Sequence, residues 1–246
     1  MLVKAAAVTH VEGLDFESQA VGYLAARADT FQMLALFLHL PTLELAQGII
    51  DGTLPKDILQ LAEETGVDAE QRSQLADCFA AKETDGSDAE SLMHTIRTDY
   101  TRMFAHPEHP TVSIYESQFL FRQSNSDGEK PRLFTSPAAL DAERCYRKAG
   151  LKTAGEANEP GDHFGTQLEF AAFLLRKTIA LIGGDADKIH ANIELFNEFS
   201  DLHLHRWISA FFSAVRENAK TVSYRAVGFF GAVFSDAVLN HKQLRL

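Results

Sequence analysis

Apolar residues recur at three- and four-residue steps through most of the chain. Leu24, Ala28, Phe31, Leu34, Ala35 and Leu38 form one stripe that predicts a helix over 17–39, stopped by Pro41. Shorter helices are predicted at 42–51, 55–65 and 69–82, separated by Gly52-Thr53, Thr65-Gly66 and the 84–87 turn. Asp88 opens a further helix with Leu92, Ile96, Tyr100, Met103 and Phe104 on one face. The prolines of His106-Pro107-Glu108-His109-Pro110 end it. Residues 113–123 fit an extended segment or a short helix, and 124–129 read as a loop. Pro137 suits the first turn of a helix running to about Lys148 and closed by Gly150.

The segment 150–161 is the most linker-like stretch. Beyond it the spacing predicts helices over 162–182, 186–213 (on Ile189, Ile193, Phe196, Phe199, Leu202 and Phe211) and 222–241. No segment alternates with period two between hairpin turns. The expected fold is therefore all-α, a globular multi-helix bundle. Its expected organisation is a loose arm at 1–16, a helical lobe at 17–149, a hinge at 150–161 and a second lobe at 162–246.

Charge narrows the partners. The net charge of −11 over 246 residues argues against nucleic acid and favours a basic ligand. Cys78 and Cys145 are far apart and read as free thiols in a reducing compartment. The first twenty residues show no secretory leader, and the Ala226–Phe234 apolar run is shorter than the roughly 20 residues a membrane span needs. A cytoplasmic protein without stable membrane insertion is expected.

The candidate chemistry gathers at the hinge. Pro160 and Gly161 make a turn, Asp162 is placed to cap the helix that follows, and His163 lies in its first turn. The helix dipole disfavours a protonated imidazole there, so helix formation alone gives no reason for His163. Glu159-Pro160-Gly161-Asp162-His163 resembles the Glu-Pro-x-Asp-His motif of the TorD/DmsD family, the cytoplasmic maturation chaperones of exported molybdenum-cofactor oxidoreductases. Asp99-Tyr100-Thr101-Arg102-Met103-Phe104, Tyr115-Glu116-Ser117, Ala149-Gly150-Leu151, His203-Leu204-His205-Arg206-Trp207 and Tyr224-Arg225-Ala226 resemble further segments of the same family, in the same order. Two departures stand out: Ser113-Ile114 replaces a proline pair, and Gly161 replaces an acidic residue or proline, a change expected to loosen the hinge.

The resemblance implies a chaperone that binds the twin-arginine leader, the apo form of a molybdoenzyme catalytic subunit, or both, aiding cofactor insertion and delaying export. It assigns leader binding to Pro160, Asp162 and His163, and to Glu159. Such a peptide carries paired guanidinium groups beside an apolar stretch, so carboxylates are needed next to a groove. Glu116 and Glu156 add charge, and Tyr115, Phe119, Leu120 and Trp207 would line the groove, although each ring alone fits a core position better. Asp162 and His163 are accordingly expected beside a cleft. No catalytic residue, cofactor or metal site is identified in this chain, and the 150–161 linker could let the C-terminal helices exchange between two chains, so a monomer or a domain-swapped dimer is expected. Two other readings remain. Glu194, Glu198, His203 and His205 invite a metal-dependent helical hydrolase, but no Glu-x-x-His pair is present. A generic helical interaction module is the second.

Overall fold

The computed structural model describes residues 11–80, 88–124, 131–151 and 159–239, with the side chains of 11–17, 238 and 239 left aside. Among the described residues the chain forms eleven α-helices and no strand. They are α1 (Val11–Leu36), α2 (Leu43–Ile50), α3 (Thr53–Glu64), α4 (Ala69–Ala80), α5 (Ala89–Tyr100), α6 (Glu116–Gln123), α7 (Pro137–Lys148), α8 (Phe164–Leu181), α9 (Ala186–Phe199), α10 (Ile208–Asn218) and α11 (Val222–Leu239). The all-α fold expected from periodicity is the fold observed.

Local chemistry explains most boundaries. Thr42, Asp88, Ser136 and Asp185 cap α2, α5, α7 and α9 with side-chain oxygens. Pro137 occupies the first turn of α7, and Gly150 beyond its end has φ 84°, a backbone angle that glycine adopts without strain. Residues 106–110 are non-helical, as their prolines require.

Two expectations are corrected and one open alternative is resolved. Helical backbone begins at Val11, inside the stretch read as a loose arm. Segment 113–123 is both things at once: Ser113–Tyr115 is non-helical, and α6 starts at Glu116. The single helix expected over 186–213 is broken into α9, a π turn (Ser200–Leu204) and α10. A second π turn (Thr101–Ala105) ends α5. A π turn inserts one residue into the helical repeat and so rotates everything beyond it.

Packing joins the two sides of the chain. Helix α1 lies along α8, α10 along α11, and α11 also reaches α3 and α4. Buried hydrophobics from Leu24 to Phe234 form one connected cluster. The two-lobe division expected around 150–161 is not drawn by this packing, and most of that hinge (152–158, with Glu156) lies outside the described residues. The 124–129 loop and the 84–87 turn fall largely outside them too.

The Asp99-Tyr100-Thr101-Arg102 segment has a structural explanation. The Asp99 carboxylate accepts hydrogen bonds from the backbone N–H groups of Lys220 and Thr221 (2.8 Å each), just before α11, and from the Arg102 guanidinium (2.6 Å). Tyr100 and Tyr224 donate to the carbonyls of Leu38 and Phe37 (3.4 and 3.1 Å), tying α5 and α11 to the end of α1.

Candidate functional site

Segment 160–164 runs antiparallel to 114–116. Glu116 N–H donates to the Asp162 carbonyl (3.1 Å), Phe164 N–H donates to the Ile114 carbonyl (3.0 Å), and Tyr115 and His163 pair as one isolated bridge. Two segments far apart in sequence thus meet where α6 and α8 both begin.

Asp162 is fully buried and does not cap α8; His163 holds that position, without a side-chain cap bond. The Asp162 carboxylate turns instead to α6 and accepts the Ser117 N–H at 3.1 Å, with the Ser136 hydroxyl at 3.4 Å. It satisfies one of the free donors of a helix from another segment. Its second oxygen, Oδ1, has no protein partner. Burial raises its pKa above the usual carboxylate value, against the lowering effect of the Ser117 hydrogen bonds.

Gly161 has an unexpected role. A Cβ there would stand 2.5 Å from the Ala139 carbonyl and 2.7 Å from Glu143 Cγ. The turn lies hard against α7, with the Tyr146 hydroxyl donating to the Gly161 carbonyl (2.7 Å). The glycine permits close approach and does not loosen the segment.

His163 is 4% exposed, with Nδ1 unpartnered. Burial, and next the neighbouring His39, push its pKa down to about 4, although Glu169 pulls the other way. The imidazole is neutral at pH 7, as expected, but burial is the main cause and the helix dipole is not needed. Its ring stacks on His39 (centroids 5.7 Å) and meets Tyr115 edge-on (5.6 Å). Gly165 leaves room for this, since a Cβ there would approach both imidazoles at 3.1 Å.

Glu116 is buried as well. It accepts from the Gln167 amide (2.7 Å) and faces His203 Nδ1 (2.8 Å), while His203 Nε2 faces Asp141 (3.1 Å). Burial acts to lower the His203 pKa, but hydrogen bonds with Cys145, Glu116 and Asp141 outweigh it and hold the imidazole up at about 10. It is an imidazolium at pH 7, donating from both nitrogens. This His203–Glu116 ion pair, invisible to sequence periodicity, fastens the start of α6 to the π turn after α9.

Phe119 and Trp207 are interior residues. Trp207 packs on Phe164 (4.2 Å between centroids) and Phe119 (5.3 Å), and its indole N–H donates to the His203 carbonyl (2.6 Å). Pro160 is buried too. Of the eight residues singled out for peptide binding, six are therefore interior: Pro160, Asp162, His163, Glu116, Phe119 and Trp207. The expectation that Asp162 and His163 present their polar groups beside an open cleft is corrected: they brace the junction from within.

The two that reach solvent, Tyr115 and Glu159, touch each other, with the tyrosine hydroxyl donating to Glu159 (3.0 Å). Burial and the Glu159 charge raise the Tyr115 pKa, so the hydroxyl keeps its proton. Beside them, half-exposed His39 pairs with half-exposed Glu169 (3.1 Å). That hydrogen bond raises the His39 pKa, and Glu159 adds to the effect from further off. The result is a rim carrying two carboxylates, an aromatic face and a histidine. Next along the chain, at the α1–α2 corner, Leu36, Leu40 and Leu43 are exposed at 41%, 55% and 41%. His39, Glu169 and these leucines were missed because each belongs to a helix-face pattern with no motif of its own.

The metal-dependent alternative finds its residues dispersed. Glu194 pairs with His190, Glu198 with Lys148 and His205 with Asp201, all at the surface. Among the described residues no helix is long and apolar enough to cross a membrane.

An all-helical body whose buried polar groups brace two chain crossings, with an acidic and apolar rim outside, has the features of a binding protein. The family model for the nitrate reductase delta subunit matches residues 62–213, and the chain belongs to that family, one of redox-enzyme maturation chaperones related to the TorD/DmsD group. All eight residues singled out in the sequence lie inside the match, whereas His39 and the α1–α2 leucines lie outside it. No curated protein matches the chain.

Proposed function

We propose that this chain binds the twin-arginine leader, or the apo form, of a molybdenum-cofactor oxidoreductase catalytic subunit in the cytoplasm, and holds it until the cofactor is inserted. The observation that carries the proposal is the rim itself: Glu159 and Glu169 beside the Tyr115 ring, with Leu36, Leu40 and Leu43 adjoining. A guanidinium donates hydrogen bonds to carboxylates from its edges and stacks an aromatic ring on its face. The apolar stretch after the arginines has the leucine corner to cover. The net charge of −11 adds long-range attraction for a cationic segment.

In this reading Glu159 and Tyr115 contact the peptide, and Pro160, Asp162, His163, Glu116, Phe119 and Trp207 position them. No bond is made or broken. The unfinished client binds better than the completed one, and that difference in affinity is the mechanism. Calorimetric titration with a twin-arginine leader tests it. Saturable 1:1 binding that weakens at least tenfold when both arginines become lysines is expected, because ammonium groups lack the bidentate fork. Absence of heat with both the leader and the apo subunit contradicts it.

A further inference from the structure

One cluster is not used by this binding reading. Asp141 and Cys145 stand one turn apart on α7 and both face the π turn that carries His203. A carboxylate oxygen, the thiol sulfur and an imidazole nitrogen lie within 4.8 Å of one another. Cys145 and His203 are buried, while the Asp141 side chain keeps 30% exposure, so the cluster opens to solvent on the aspartate side.

We propose that Asp141, Cys145 and His203 form a binding site for one borderline-soft divalent cation, with zinc the best fit. Thiolate, imidazole and carboxylate are the zinc donor set, and the thiolate and imidazole select against magnesium and calcium. With metal–ligand bonds of about 2.0–2.3 Å, tetrahedral ligand atoms stand roughly 3.3–3.7 Å apart. His203 Nε2 and Asp141 are 3.1 Å apart and all three ligand atoms lie within 4.8 Å of one another, so a cation seats once that pair opens slightly and the wider separations close toward the tetrahedral spacing. The fourth position faces outward, where Arg144, now paired with Asp141, would be displaced.

The surroundings are those of a prepared histidine ligand. His203 Nδ1 is held by the buried Glu116 carboxylate, itself held by the Gln167 amide. A carboxylate on one ring nitrogen fixes the tautomer that leaves the other for a metal. A cation held here takes a neutral imidazole nitrogen and a thiolate, so its charge of +2 meets the Cys145 thiolate and the Asp141 carboxylate, and any protons on His203 Nε2 and Cys145 Sγ leave as it binds.

The test uses untagged full-length protein stripped with a chelator and titrated with Co²⁺. One equivalent is expected to give a thiolate-to-cobalt charge-transfer band with the visible bands of tetrahedral cobalt. Zinc added to the cobalt-loaded protein should bleach both, and zinc added to the stripped protein should bind more tightly as pH rises, because the ligands must be deprotonated. Cys145→Ser removes the charge-transfer band and Cys78→Ser keeps it. Should Cys145→Ser fail to fold, Asp141→Asn decides, because that side chain is partly exposed: its cobalt affinity should fall at least tenfold while its metal-free melting temperature stays within a few degrees of the native value. Native protein that shows no stoichiometric thiolate band overturns the proposal. So does a band lost in Cys78→Ser, or an Asp141→Asn variant that binds as tightly as the native chain. None of these outcomes bears on leader binding, which is measured separately.

Discussion

Asp99 and Asp162 are both buried carboxylates, and both bind backbone N–H groups at the start of a helix from a distant segment. Asp99 accepts from two backbone N–H groups, the Thr221 hydroxyl and the Arg102 guanidinium, so both oxygens are used and the charge is matched. Asp162 accepts one backbone N–H and one long hydroxyl contact, has an unpartnered oxygen, and has a raised pKa. The first is a satisfied fastener. The second is a carboxyl group whose burial favours its neutral form. One acidic residue therefore stabilises the fold, while the other sits in a less complementary place at the crossing of two segments.

The comparison sharpens most at Asp99. Replacement by Ala leaves Arg102 without its anion and the α11 start without its acceptor, and should cost about 3–5 kcal/mol, read from urea unfolding. A loss below about 1 kcal/mol would show that water replaces the carboxylate and that the fastener is dispensable.

A pH series separates the junction from the rest. His163, packed against His39 and Tyr115 and within reach of the Glu169 charge, has a folded pKa of about 4 against about 6.5 unfolded. Its contribution is present above pH 6.5 and is lost as pH falls toward 4, on the order of 3 kcal/mol at most. Asp162 works in the opposite direction, because a raised carboxylate pKa makes acidification favourable to the folded state over its window. His163→Gln should therefore flatten the acid limb of the stability curve between pH 6.5 and 4. An unchanged limb would mean that the imidazole is hydrated and titrates normally.

The smallest expected stability change is at Asp162 itself. Asp162→Asn keeps an acceptor for the Ser117 N–H and is neutral in a place where burial already favours the neutral form, so stability at pH 7 should shift by less than about 1 kcal/mol. A loss equal to that of Asp99→Asn would erase the distinction between the two carboxylates.

Much of this architecture was legible in the chain. Stripes such as Leu24–Leu38, with caps at Thr42, Asp88 and Ser136, define helices through local chemistry alone. The π turn at Ser200–Leu204 was not, because one inserted residue barely alters an average period. Its effect shows in register: Leu202, assigned to the buried stripe, is 41% exposed, and its neighbour His203 is buried. The interior placement of Asp162 and Glu116 was also hidden. It depends on Ser117, Ser136 and Gln167, partners that only the crossing of distant segments brings near. Six of the eight residues singled out in the sequence are interior, and Tyr115 and Glu159 reach the surface.

The most direct test compares two charge-neutralised proteins in one leader titration. Glu159→Gln with Glu169→Gln should leave the melting temperature nearly unchanged, since Glu159 is exposed and Glu169 half-exposed, and weaken leader binding about tenfold or more, equivalent to roughly 1.4 kcal/mol. Asp162→Asn should bind within about threefold of the native chain, less than half of that energy. Native affinity in the double variant, or a larger loss in Asp162→Asn than in the double variant, would contradict the account and return the binding role to the buried carboxylate.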